Sequence, residues 1–249
     1  MKKNFLAVII LATLSVPAAK AQQWGIGVNA GTNYCEFETE VSFDNLRQGY
    51  RHENEWYYED GSYGVGDMRS RYFSVTPEYR YSNNISFLAG LQLTVASSNF
   101  TSDKGYFYWM YDKQDTELSY CTIHKFRQTN SYIGVPLAVK FVVRGTGYTS
   151  VFFQGGVTPS VRVNTNNDIQ IRDLAMEKVK SKISDQLGTP ENFCMPIYAS
   201  VGVQFDFGLS ASFQFPYTIL GSTMSSFAED SQLGFGIQLA YIFSKSVKE

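Results

Sequence analysis

Two histidines, three cysteines and a small set of charges at alternating positions are the residues of this chain with the means to do chemistry. His52 sits in "YRHENEWYYED", beside Glu53, Glu55, Glu59 and Asp60. An imidazole among carboxylates is a conceivable acid–base pair. The same stretch also has the composition of a solvated polar loop, and that plainer reading is the expectation for both His52 and His124. No catalytic residue is therefore expected. Cys35, Cys121 and Cys194 are odd in number, so they cannot pair completely, and their spacing matches no zinc motif. No metal and no cofactor is expected.

Two further groups are candidates for binding or sealing. Glu78, Arg80, Lys140, Arg162 and Asp206 all fall on the polar face of alternating segments. Glu78, Lys140 and Asp206 lie near the same end of their segments. Unpaired charges in a narrow interior are costly, so Lys140 is expected to pair with Glu78 or with Asp206 and to help plug that interior. The other group is aromatic. Trp56, Tyr57 and Tyr58, and then Tyr106, Tyr108 and Trp109, stand among carboxylates in long polar segments. Tyr and Trp give rigid contact area at low entropic cost, which suits a protein or glycan partner. The alternative is that these segments simply prolong strands as hairpins.

The elements that must position these residues are strands. Period-two alternation recurs along the chain. In "ISFLAGLQLTVASSN" Ile85, Phe87, Ala89, Leu91, Leu93 and Val95 share one face, while Ser86, Gly90, Gln92, Thr94 and Ser98 share the other. Eight such segments are counted, beginning near Trp24, Tyr72, Ile85, Ile133, Val151, Phe193, Leu209 and Leu233. Most run about ten residues or more, the length that crosses a bilayer at a tilt, against about five or six in soluble sheets. Short connections ("SNN", "RGTGYTS", "DFG") alternate strictly with long polar ones. The ends beside the short connections carry Trp24, Tyr79, Tyr81, Phe87, Phe141, Phe153, Phe205, Phe207, Tyr241 and Phe243, as an interfacial aromatic girdle would. This predicts an all-β, eight-stranded antiparallel up-and-down transmembrane β-barrel with short periplasmic turns and long extracellular loops. Eight strands leave an interior that side chains fill, so no open pore is expected.

The N-terminus sets the compartment. Lys2 and Lys3 precede the apolar run "FLAVIILATLSV", then Pro17 and the small-x-small "AKA". This reads as a signal peptide over residues 1–21 with cleavage after Ala21. The barrel then spans 22–249, in an outer membrane. A net charge of −2 gives no reason to expect nucleic acid. A secreted or periplasmic lipocalin-like barrel, with its apolar face turned inward around a ligand, is the alternative. In "LAMEKVKSKISDQLG", Leu174 or Met176, Val179, Ile183 and Leu187 fall near helical spacing, so one rim helix is expected there. Pro77, Pro136, Pro159 and Pro196 fall inside strands, where each should leave a bulge or a missing ladder bond.

With the strands laid out, "SYIGVPLAVKF" resembles the Tyr-x-x-x-Pro-Leu-x-x-Lys-aromatic strand of the PorT-like outer-membrane β-barrel family of Bacteroidota. "VFFQGGVTPSVRV" is similar to that family's following Gly-x-x-x-Ser strand, and "LGFGIQLAYIF" to its closing strand. The resemblance implies the same barrel, contact with outer-membrane lipid, and insertion by the barrel-assembly machinery. It implies little about function, since only some such barrels are tied to protein secretion. Six residues follow Phe243, so an aromatic insertion signal would be internal here.

Overall fold

The computed structural model of the chain describes residues 24–40, 46–52, 55–60, 63–102, 106–113, 117–145, 148–171, 188–221 and 233–244. The signal-peptide region and the expected helix around 174–187 lie outside the described residues. Fourteen strands account for nearly all of what is described. They are β1 (Trp24–Glu40), β2 (Leu46–His52), β3 (Glu55–Asp60), β4 (Tyr63–Arg80), β5 (Ile85–Ala89), β6 (Leu91–Ser102), β7 (Tyr106–Lys113), β8 (Glu117–Gly134), β9 (Leu137–Arg144), β10 (Thr149–Val157), β11 (Ser160–Ile171), β12 (Phe193–Phe205), β13 (Leu209–Gly221) and β14 (Phe235–Ser244).

Every pairing is antiparallel, and the sheet closes. β1 pairs with β14 on one side (Ile26 opposite Phe243) and with β4 on the other (Ile26 opposite Pro77). Three long strands are each interrupted once: β5 continues as β6, β8 as β9, and β10 as β11. Counting each such pair as one stave, the ring has eight staves: β1, β4, β5–β6, β8–β9, β10–β11, β12, β13 and β14. Closure gives each interior ladder position a partner, as a sheet without water on its edges requires. No helix among the described residues is long and apolar enough to cross a membrane.

The long segments after the first and third staves are largely strand, in keeping with the reading that they prolong the strands as hairpins. β1 and β4 stay paired out to Glu40 opposite Tyr63. β2 pairs with β3 and β7, and β7 with β8, so the ring carries a sheet extension beyond its rim. A ladder once started continues as long as both strands remain extended, and the tyrosines, phenylalanines and threonines there favour that.

All four prolines fall where the ladder breaks. Pro136 separates β8 from β9, Pro159 separates β10 from β11, and a register shift sits between Met195 and Pro196. Pro77 faces the break at Gly90 between β5 and β6. These breaks are neighbours. Gly90 N donates to Pro136 O (3.1 Å), Val135 N to Pro159 O (3.0 Å) and Thr158 N to Pro196 O (2.8 Å). Proline offers no N–H but keeps its carbonyl. Lining the prolines up lets each carbonyl serve the next stave, and confines the loss to one seam. Gly90 is required at that seam, since a Cβ there would lie 2.1 Å from Val75 O.

Alternation sorts the two faces. On β6, Leu91, Leu93 and Val95 are exposed, while Thr94, Ala96 and Ser98 are buried. On β9, Leu137, Val139 and Phe141 are exposed, while Ala138 and Lys140 are buried. The outside is apolar and the inside is polar, the reverse of a lipocalin-like arrangement. At the turn end, aromatic rings pair around the ring: Trp24 with Tyr79 (4.9 Å between centroids), Tyr81 with Phe87 (6.1 Å), Phe205 with Phe207 (5.4 Å) and Tyr241 with Phe243 (4.7 Å).

On the outside, residues line up in register across β4, β6, β8 and β11. One row is Phe73, Leu93, Ile133 and Val161. The next row away from the turns is Arg71, Val95, Ser131 and Asn164, and the one after it Arg69, Ser97, Thr129 and Asn166. The outer wall therefore changes from apolar to polar along an almost continuous line.

Candidate functional site: the interior of the ring

The interior has three storeys. The lowest, at the turn end, holds the charges. Glu78 on β4 and Lys140 on β9 point inward because they have the parity of the polar face, and each side chain is only 3% exposed. Lys140 Nζ lies 3.6 Å from Glu78 Oε2, close enough for an ion pair and too long for a direct hydrogen bond. Lys140 Nζ donates instead to Gln204 Oε1 on β12, and stands 4.8 Å from the centroid of Phe152. Charge, amide and ring thus close the floor from three sides. A buried pair is tolerated only when such extra partners offset its desolvation.

Of the other charges expected inside, Arg80 stays at the rim, with its side chain 44% exposed and Nε 3.9 Å from Glu78 Oε1. Asp206 corrects the expectation: it is exposed, in the turn that follows β12. β12 ends at Phe205, and the chain turns through Gly208 at φ +99°, so the alternation cannot be carried past the strand end. Arg162 lies at the far end of the ring. It donates to Thr165 Oγ1 and to Asn192 Oδ1 (2.7 Å), and meets neither Glu78 nor Lys140.

The middle storey is a circuit of neutral groups. Tyr72 OH donates to Gln214 Oε1 (2.6 Å), and Gln214 Nε2 donates to Gln238 Oε1. Gln238 Nε2 donates to Asn29 Oδ1 (3.1 Å), and Asn29 Nδ2 donates to Ser74 Oγ (3.1 Å) and Thr76 Oγ1 (2.8 Å). The circuit starts and ends on β4, passing through β13, β14 and β1. Beside it, Gln154 Nε2 donates to Tyr198 OH (2.8 Å). These groups surround a cavity of about 90 Å³. That is room for a few waters, and amides and hydroxyls that can hold them share the walls with apolar groups such as Leu88, Ala138 and Ile197.

The top storey is packed. Tyr132, Phe100, Phe126, Gln128, Asn130 and Cys194 are its largest fully buried side chains. Asn130 Nδ2 donates to Gln128 Oε1 (3.1 Å), and Gln128 Nε2 donates to Asn167 Oδ1 (2.9 Å) and Gly188 O (3.2 Å). Cys35 and Cys194 are buried thiols at this end. Burial pushes the Cys35 thiol up to about 11. Among the described residues no group of three His, Cys, Asp or Glu side chains could hold a metal.

The aromatic candidates are strand residues. Trp56, Tyr57 and Tyr58 lie in β3, and Tyr106, Tyr108 and Trp109 in β7. His52 and His124 lie in β2 and β8, and Cys121 in β8 opposite Trp109. The side chains of all of these are outside what the structure describes. Sequence reasoning missed the amide circuit. Its signal was present, since Asn29, Gln214 and Gln238 all have inward parity, but register alone brings them together.

No protein-family model matches this chain, and no curated protein sequence matches it. Among solved structures, the chain is similar to Ail, the attachment invasion locus protein of Yersinia pestis, at 12% identity over 89% of this chain and 99% of that one, with a TM-score of 0.33. An outer membrane channel from Pseudomonas putida F1 matches at 8% identity over 92% and 100%, TM-score 0.29. The translocator domain of the autotransporter NalP from Neisseria meningitidis matches at 10% identity over 96% and 94%, TM-score 0.24. Similarity at this level bears on neither family nor function.

Proposed function

We propose that this protein is an integral outer-membrane β-barrel, plugged rather than open, with a structural, surface-binding or secretion-associated role of the PorT-like kind and no catalysis. The observation that carries the reading is the inverted polarity of a closed ring. Leu91, Leu93, Val95, Leu137, Val139 and Phe141 are all exposed on its outside. In water such a wall would be far larger than the apolar patches monomers tolerate. In a bilayer it is what the solvent requires. The register-aligned change from Phe73, Leu93 and Ile133 to Arg71 and Ser131 supports a membrane boundary there. The aromatic pairs at the turn end support the other boundary.

The plugged interior argues for a role played at the surface rather than by transport. The sheet extension of β2, β3 and β7 is the part of the fold best placed to meet a protein or glycan. Insertion would use the barrel-assembly machinery. Cell fractionation with a heat-modifiability gel tests the assignment. The protein is expected in the outer-membrane fraction, migrating differently before and after boiling, with negligible conductance in planar bilayers. A soluble periplasmic protein with no mobility shift overturns the barrel, and steady large conductance overturns the plug.

A further inference from the structure

Above the lipid-facing wall, four described cations share one sector. Among the described side chains, the outward-facing cations at this level are Arg69 and Arg71 on β4 and Lys125 and Arg127 on β8, with β6 between the two strands. Glu36 on β1, in register with Asp67, adds a carboxylate beside Arg69, and Arg162 and Glu191 lie elsewhere at this end.

Two of these guanidiniums are held in place. Arg127 Nε donates to Asn99 Oδ1 (2.9 Å), Asn99 Nδ2 donates to Asp67 Oδ1 (3.1 Å), and Asp67 Oδ2 pairs with Arg69 Nε (3.2 Å). Arg69 also lies over the Tyr34 ring, 5.5 Å from its centroid. In both arginines these contacts use Nε. The terminal nitrogens, which form the fork that recognises a phosphate, are the part left for a ligand. Arg69 is 66% exposed and Arg71 is exposed beside it. Two strand spacings, about 10 Å, separate β4 from β8. Asp67 is turned into the Arg69–Asn99 line, and Glu36 and Asp168, exposed near Arg69 and Arg127, reduce the charge of the sector without cancelling it.

We propose that this sector is a binding site for a phosphorylated lipid headgroup of the outer leaflet, with one phosphate on Arg69 and Arg71 and a second on Arg127. The inference rests on the membrane reading above, because only that reading puts lipid against Phe73, Leu93 and Ile133 directly below the arginines. Preorganisation through Asn99 and Asp67 lowers the ordering cost of binding.

The test uses the full-length folded protein in neutral detergent, titrated with diphosphoryl lipid A, phosphatidylcholine or inorganic phosphate and read by native mass spectrometry. Diphosphoryl lipid A is expected to bind in preference to phosphatidylcholine. The Arg69→Gln/Arg71→Gln/Arg127→Gln variant is expected to lose at least about tenfold in lipid A affinity. Asn99→Ala, which keeps every cation, is expected to give a smaller loss. Equal lipid A binding by the triple variant, or equal binding of phosphatidylcholine by the parent, overturns the proposal. Inorganic phosphate binding as tightly as lipid A overturns the lipid as the ligand. Heat-modifiability of each variant is checked first. If the parent itself shows none, the membrane reading has failed, and not merely this site.

Discussion

Lys140 Nζ lies 3.6 Å from Glu78 Oε2, with both side chains sealed inside the ring. The two residues are 62 positions apart in the chain (140 − 78) and on staves that are not adjacent, with β5 between them. Lys140→Met would leave Glu78 as a buried carboxylate with only the partly exposed Arg80 near it. The expected loss is about 3 kcal/mol or more, read as a lower urea midpoint for the folded form in detergent. Lys140→Met with Glu78→Gln should recover most of that loss, since both desolvation costs go together. A double variant as weak as the single one would show that the pair does not act as a unit.

The seam gives a contrast between two glycines. Gly90→Ala puts a Cβ 2.1 Å from Val75 O, where backbone must move, so a cost of about 1–3 kcal/mol is expected. Gly155→Ala meets nothing nearer than 3.9 Å and should stay within about 0.5 kcal/mol. Thermal loss of the unboiled gel band, measured for both, separates them. Equal midpoints would mean that the seam relaxes freely.

The amide circuit predicts its own weak point. Gln214→Leu strands the Tyr72 hydroxyl and one side of Gln238 inside the ring. A cost of about 1–3 kcal/mol is expected, while Tyr72→Phe, which removes only a donor, should cost about 1 kcal/mol. If Gln214→Leu were neutral in urea titration, water in the cavity would be replacing the lost partners.

Cys35 supplies a chemical probe of the packed top storey. Only the thiolate reacts with maleimide, and burial holds this thiol neutral until pH nears 11. In a Cys121→Ser background the folded protein should remain unlabelled at pH 7.5. Raising the pH to 9 should barely change that, because the thiol stays protonated below its raised value. Boiling in detergent should release both Cys35 and Cys194. Labelling of the native protein at the rate of an exposed thiol would show that this storey is open.

Much of the fold was legible in the chain. Each stave announced itself by alternation, and the prolines marked where the ladders fail. The parity of Glu78 and Lys140 placed both inside, but parity ends where a strand ends, which is why Asp206 was misplaced. The long polar segments read as loops because polar alternation in a two-sided hairpin leaves no apolar face to detect. Arg127, Asn99, Asp67 and Arg69 drew no attention, since nothing local distinguishes them from other rim residues.

By itself the sequence determined that two faces of opposite polarity run along every stave, because a strand sends successive side chains to opposite sides. Alternation alone looks the same either way, and only the small, weakly charged make-up of the polar face pointed it inward. Closure of β1 onto both β14 and β4 gave that face an enclosed interior. The interior is narrow, and small hydroxyls and amides can fill it while satisfying one another. The bulky apolar side chains are left outside. Register then chose the partners: Glu78 for Lys140, Gln238 for Gln214, and Asn99 as the bridge between two arginines. Such pairings belong to the closed ring, because they depend on how far each stave slides against the next.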